Sequence, residues 1–316
     1  MRNFADEPYL HARIHAMRSR LFSLRDYALM IREQESIPGN IAGIRDLTRA
    51  REMLFRQQIA PVITLAPACE KYMPFFIANL RQYETHNARI LLARAAGRQT
   101  PAQWYDISPF ASLDKGLLEE KLSLDAIKSI LSERYQDKKF ITIASYRQLT
   151  VYLDICTAGT LYHSADLLSG SAAREFREMM LKRIAVLTLI WSNRLKAYYH
   201  FNDEKIRRYM AGIHNLYGGK VWYRVSLEQE TLDRRLEQIR KDTGQEPSVA
   251  DIEQHLEQHY YTWIASMFHR DFHAIYGVVC YLWLLFYQIR NLFRIIDGRR
   301  FGLSADAIIN KMICEA

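Results

Sequence analysis

A chain of 316 residues with 49% hydrophobic side chains can bury a real core, as one elongated domain or as two to three lobes. Only 13 Gly and 8 Pro interrupt it, which points to an all-α protein and away from a sheet. The formal charge of +8 favours phosphate backbones, anionic headgroups or acidic protein surfaces without choosing among them. The basic residues are spread along the chain, in runs no longer than pairs such as Arg207 and Arg208, and read as a solvated face.

Cys69, Cys156, Cys280 and Cys314 lie far apart with no CxxC pair, which fits free thiols in the cytoplasm better than a zinc knuckle or redox dithiol. No apolar leader occupies Met1–Pro8, and the uncharged run around His273–Gln288, which includes those two polar residues, holds fewer than the roughly 18 apolar residues of a membrane span.

In chain order, the first helix is expected from near Pro8, with Leu10, Ile14, Met17, Leu21, Leu24, Ala28 and Ile31 on one stripe. Arg13, Arg18, Arg20, Arg25 and Arg32 fill its other faces, and the stripe reads as a seam packed on another helix. Pro38-Gly39, Pro61, Pro67 and Pro74 divide the next stretch into short helices, after which Phe75–Ala96 reads as one long helix closed by Gly97 and Pro101. Gln99–Lys115 is loop-like.

Further helices are expected near Ser123, at Ser145 with Gln148, and at Ser226 with Gln229, the last two with capping-box spacing. Phe140–Ala144 and Val221–Val225 look like two short, isolated strands. The apolar patterns Ala172–Phe201 and Val249–Ile296 are too long for ordinary helices without a bend. Tyr276, Tyr281, Trp283, Phe286, Tyr287 and Phe293 read as core aromatics within the second of these.

Catalytic motifs find no anchor. His11/His15, His255/His259 and His269/His273 have HxxxH spacing, which on a helix puts both rings on one side. None forms HExxH, and no His has an acid three positions earlier, so neither the zinc-protease nor the di-iron carboxylate pattern is met. The cluster Gly212–Lys220 fails as a phosphate loop, with His214 where the first glycine belongs and Val221 in place of the magnesium-binding hydroxyl. Thr243–Leu256 resembles the opening of a helix-turn-helix, but Glu257–Ile264 continues without a turn signal, so Ser248 reads as the cap of a long helix. No catalytic, metal or cofactor residue is assigned.

Arg94, Arg194 and Arg294 stand at intervals of a hundred residues near the ends of three long helices. Each is followed by a turn and a capping residue, Thr100, Asn202 or Ser304, expected to start another helix. Three related lobes are therefore expected, 1–105, 106–210 and 211–316, with these arginines as equivalent positions open to partner contact.

Several segments resemble one family, the C subunit of V-type ATP synthases, called d in eukaryotic vacuolar ATPases. Tyr9-Leu-His-Ala-Arg-Ile-His-Ala-Met17 through Leu21 is similar to the family's opening helix, and Leu153-Asp154 with Tyr162 to its Leu-Asp-x-x-Tyr region. Arg194-Leu-Lys196 resembles a basic helix end, and Gln288 through Asn291, Arg294, Gly298 and Gly302 to Ser304 resembles the C-terminal helix, turn and helix. The sequence departs at Gln288, where the family commonly has Glu, and at Ala185 and Thr188, where Asp and Asn would be expected.

The resemblance implies an all-α funnel of three lobes on the cytoplasmic face of the membrane, with no catalytic residues or cofactor of its own. It would join the central-stalk subunits D and F to the membrane proteolipid ring, one copy per complex, and transmit torque for proton or sodium transport. Contact with anionic lipid is compatible with the charge, and no nucleic acid partner is expected. The alternatives are a basic, all-helical nucleic-acid-binding regulator and, behind it, a helical metalloenzyme using the paired histidines.

Overall fold

The computed structural model describes residues 6–32, 44, 46–100, 103–214, 219–270 and 274–315. Its α-helices are α1 (Asp6–Arg18), α2 (Leu24–Arg32), α3 (Leu47–Ile63), α4 (Met73–Leu80), α5 (Glu84–Ala95), α6 (Leu124–Tyr135) and α7 (Lys139–Thr142). They continue as α8 (Tyr146–Ser164), α9 (Gly170–Tyr199), α10 (Asp203–His214), α11 (Gly219–Thr243), α12 (Val249–Phe268), α13 (Ala274–Arg300) and α14 (Ala305–Ile309). The fold is all-α, and no strand occurs among the described residues.

Neither expected strand forms. Residues 139–142 form α7, whose buried Phe140 stacks on Tyr135 of α6 with ring centroids 5.4 Å apart. Val221–Val225 lies inside α11, which buries Val221, Glu228, Leu232 and Leu236, a helical spacing that overrides the local β-branched content. Ser226 is likewise internal to α11, and its hydroxyl donates to the Trp222 carbonyl at 3.2 Å instead of capping a new helix. Ser123 and Ser145 do open helices, accepting from Ala126 N–H at 3.2 Å and Gln148 N–H at 3.1 Å.

The expected first helix is two. Ser23 N–H and Oγ–H both donate to Asp26 Oδ2 at 2.7 Å, and Asp26 N–H returns to Ser23 Oγ at 3.3 Å, so a reciprocal cap starts α2 anew. The apolar stripe is reset with it: α1 buries Leu10, Ile14 and Met17, whereas α2 buries Tyr27, Met30 and Ile31.

Phe75–Ala96 is also interrupted, by a 3-10 turn at Arg81–Tyr83 between α4 and α5. Pro61 sits in the last turn of α3, and Pro67 and Pro74 in first turns, where a missing N–H costs no helical bond. The Pro38-Gly39 and Pro101 expectations lie outside the described residues, as does most of the Gly212–Lys220 cluster. Residues 103–114 contain no helix, as expected for a loop, and Thr100 therefore starts none there.

The long patterns resolve differently. Ala172–Phe201 belongs to the continuous 30-residue α9, whereas Val249–Ile296 is divided into α12 and α13. No helix among the described residues is long and apolar enough to cross a membrane.

The chain divides into two compact units, 1–150 with 264–316, and 151–263. In the first, α13 is the spine, packed by α1, α3 and α4. Pairings of Gln58 with Gln288 and of Arg51 with Asp297 show that α3 runs antiparallel to α13. Tyr276, Tyr281, Trp283, Tyr287 and Phe293 are buried as expected, with Phe286 half-buried. In the second unit α9 is the spine. Glu178 and Lys182 of α9 pair with Arg224 and Glu228, which makes α11 parallel to it. Arg183 and Arg194 pair with Glu257 and Glu253 in reverse order, which makes α12 antiparallel.

Candidate functional site

Two helices of the first unit use the same device to hold a distant segment. Asn87 of α5 donates from Nδ2 to the Tyr105 carbonyl at 2.9 Å and accepts Tyr105 N–H on Oδ1 at 2.8 Å. Asn291 of α13 donates to the Ile313 carbonyl at 2.8 Å and accepts Ile313 N–H at 3.1 Å. Each amide thus satisfies both backbone groups of one residue, as a paired strand would. Arg294 adds a hydrogen bond to the Lys311 carbonyl, and Arg18 an ion pair to Glu315 at 2.6 Å, so the C-terminal segment is fastened at several points.

Three residues before each Asn stands a second polar anchor. Glu84, fully buried, accepts Ser112 N–H at 2.7 Å, Leu113 N–H at 2.8 Å and Ser112 Oγ–H at 2.8 Å, with the Arg134 guanidinium at 2.7 Å. A buried carboxylate is tolerable when every lone pair is used in this way. Gln288 takes the same place on α13. Its Oε1 accepts Phe22 N–H at 2.8 Å and its Nε2 donates to Gln58 Oε1 at 2.7 Å.

The second unit is fastened by charge. Lys182 and Glu228, both buried, pair at 2.5 Å, and Lys182 Nζ also lies 3.1 Å from His259 Nε2. Burial acts to raise the Glu228 pKa, but hydrogen bonds from His259 and Lys182 win and hold it below the usual carboxylate range. Arg183 grips Glu257 with two hydrogen bonds of 2.6 and 3.3 Å, and Arg194 grips Glu253 with two of 2.5 and 2.6 Å. The α9 positions that depart from the family pattern lack the anchors of the first unit: Ala185 has no polar group, and Thr188 Oγ1 donates to its own helix at the Ile184 carbonyl, 2.8 Å away.

The three arginines singled out by their spacing have different surroundings. Arg94 is exposed on α5, Arg194 is in the ion pair with Glu253 and 5.0 Å from the Trp191 ring, and Arg294 caps the C-terminal segment. The helices carrying them share another feature: α5, α9 and α13 are each followed by a residue of left-handed backbone, Gly97, His200 or Gly302. Counted from that residue, Arg94 corresponds to Arg299. Asn202 and Ser304 cap the next helices, accepting from Lys205 N–H at 2.8 Å and Ala307 N–H at 3.2 Å.

Among the histidines, His11 and His15 have ring centroids 4.3 Å apart, and burial, then His11 and His269, lowers the His15 pKa. His255 is pulled down to about 4, by burial first and then by Arg235 and His259. His273 lies outside the described residues, and among those described no three His, Cys, Asp or Glu side chains converge as metal ligands. Ser248 caps α12, which runs unbroken to Phe268, so no helix-turn-helix is built there. The arrangement holds chain segments in fixed places.

The anchors Glu84, Asn87 and Asn291 are not singled out by spacing of charge. The signal that finds them is a short repeat, Tyr83-Glu84-x-x-Asn87 against Tyr287-Gln288-x-x-Asn291. A family model described as ATP synthase (C/AC39) subunit matches residues 68–311, most of the chain and all of these anchors. Compared with curated proteins, the chain matches none.

Proposed function

The chain belongs to the ATP synthase (C/AC39) subunit family of V-type ATP synthases, and from that premise we propose that it is the non-catalytic rotor connector of such a complex. It joins the central-stalk subunits D and F to the membrane proteolipid ring, one copy per complex, on the cytoplasmic face, and passes torque between the soluble head and proton or sodium movement. The three lobes 1–105, 106–210 and 211–316 form the funnel that receives the stalk tip. The repeated Tyr-Glu/Gln-x-x-Asn anchors, one in the first lobe and one in the third, support the kinship of those two.

The match over residues 68–311 carries the reading. The buried anchors support it physically, because a connector that transmits torque must not yield, and fully bonded polar groups inside dense helical packing resist deformation. Extraction of the native complex in mild detergent is the test. Copurification with V-type stalk and ring subunits is expected; a chain that travels with neither is not the connector.

A further inference from the structure

The turn between α13 and α14 is built rigidly and presents apolar side chains to the outside. Leu303 N–H donates to the Gly298 carbonyl at 2.9 Å and Gly302 N–H to the Arg299 carbonyl at 3.2 Å, with Gly302 at φ +66°, and Ser304 at once caps the next helix. This is the paired hydrogen-bond closure in which the residue after the left-handed glycine ordinarily packs back onto the last helical turn. Here the receiving residue has no side chain. The position that would receive Leu303 is Gly298, and a Cβ on Gly298 would fall 2.5 Å from Ile308, whose buried side chain already occupies the space. Phe301 is left 72% exposed and Leu303 54% exposed.

The surroundings are basic. Arg299, which donates to the Met30 carbonyl, and Arg300 precede the pair, and Arg51 and Arg32 stand against the two nearest carboxylates in sequence, Asp297 and Asp306. A convex, preformed tip with two apolar side chains beside cationic ones fits a surface that is apolar beneath and anionic on top.

We propose that the turn Arg300–Ser304 is a membrane-contact tip, with Phe301 and Leu303 entering the headgroup boundary of an anionic lipid surface and Arg300 meeting its phosphates. This rests on the connector reading for the nearness of a membrane, but its test does not. The full chain is sedimented with vesicles of phosphatidylcholine alone or mixed with phosphatidylglycerol. Binding to the anionic vesicles is expected, falling at least about fivefold in a Phe301→Ser/Leu303→Ser chain, while Tyr223→Ser, at an exposed aromatic of the second unit, leaves it unchanged.

Because both side chains are exposed, the double variant keeps the parent's melting curve. As a second readout, Phe301→Trp gains emission that shifts to the blue on anionic vesicles only. Equal sedimentation of parent and double variant, or no shift at residue 301, overturns the proposal. So does loss of copurification with stalk subunits by the double variant without any change in vesicle binding, which would make the tip a protein contact. Vesicle binding without copurification sinks the connector reading and leaves the tip standing.

Discussion

Asn291 concentrates several consequences in one side chain. Replacing it by Ala leaves the buried N–H and carbonyl of Ile313 unpaired together, each costing about 1–3 kcal/mol when no water can reach it. Asn291→Ala is therefore expected to lower unfolding free energy by several times the cost of an exposed substitution such as Arg94→Ala, and denaturant titration of both measures the difference. His86 makes a pH prediction. Burial, then Arg89, lowers its pKa to about 3, and its ring stacks on Tyr105 at 4.1 Å. A base whose folded pKa lies below its unfolded value of 6.5 takes up a proton on unfolding between the two, so stability is present above pH 6.5 and falls as pH drops toward 3. His86→Phe, which keeps the stack, should flatten that decline by up to about 1.4 kcal/mol per pH unit in titrations between pH 6.5 and 4. A decline of unchanged slope would mean that His86 is not the group responsible.

At the scale of elements, α9 is where sequence reading succeeded and failed most instructively. Its helical character was legible because apolar residues recur at helical spacing from Ala172 onward, but its length was not, since a break was expected and the helix continues for 30 residues. Nor were its partners, because the pairing of Lys182 with Glu228 and Arg183 with Glu257 joins residues 46 and 74 positions apart, and charge composition does not say which acid meets which base. The same limit explains the N-terminal helix: a seven-residue stripe continued on paper, while the Ser23–Asp26 cap, visible as Ser-x-x-Asp, ended one helix and began another. Removing one partner of a buried pair leaves an uncompensated charge, so Glu228→Leu is expected to cost about 3–5 kcal/mol. Lys182→Met in the same chain should recover most of that loss, a coupling read from a double-mutant cycle. The acid limb provides a second check. The depressed Glu228 pKa means its contribution is present above the ordinary carboxylate pKa and lost as pH falls through the lower folded value. The double variant should lose that limb. A cycle showing additive costs would mean that the pair is not energetically coupled.

For the whole molecule, the first unit is assembled from both ends of the chain, 1–150 and 264–316, so its stability depends on closure by the C-terminal segment. Met312, Ile313 and Cys314 are buried there, Asn291 and Arg294 bind the backbone around them, and Arg18 of α1 pairs with Glu315. Each apolar side chain of this kind contributes roughly 1.5–3 kcal/mol by burial, and removing the segment also strands the Asn291 amide. Ending the chain at Asn310 is therefore expected to destabilise the first unit by about 5 kcal/mol or more, enough to approach the whole stability of an ordinary domain. The loss should be local. Hydrogen exchange ought to rise in α1 and α13, which the segment ties together, while α9 and α11, held by their own buried ion pairs, keep the parent's protection. If protection fell equally in both units, the chain would be unfolding as one cooperative body, and the anchors at Asn291 and Arg294 would be serving the entire molecule instead of closing one part of it.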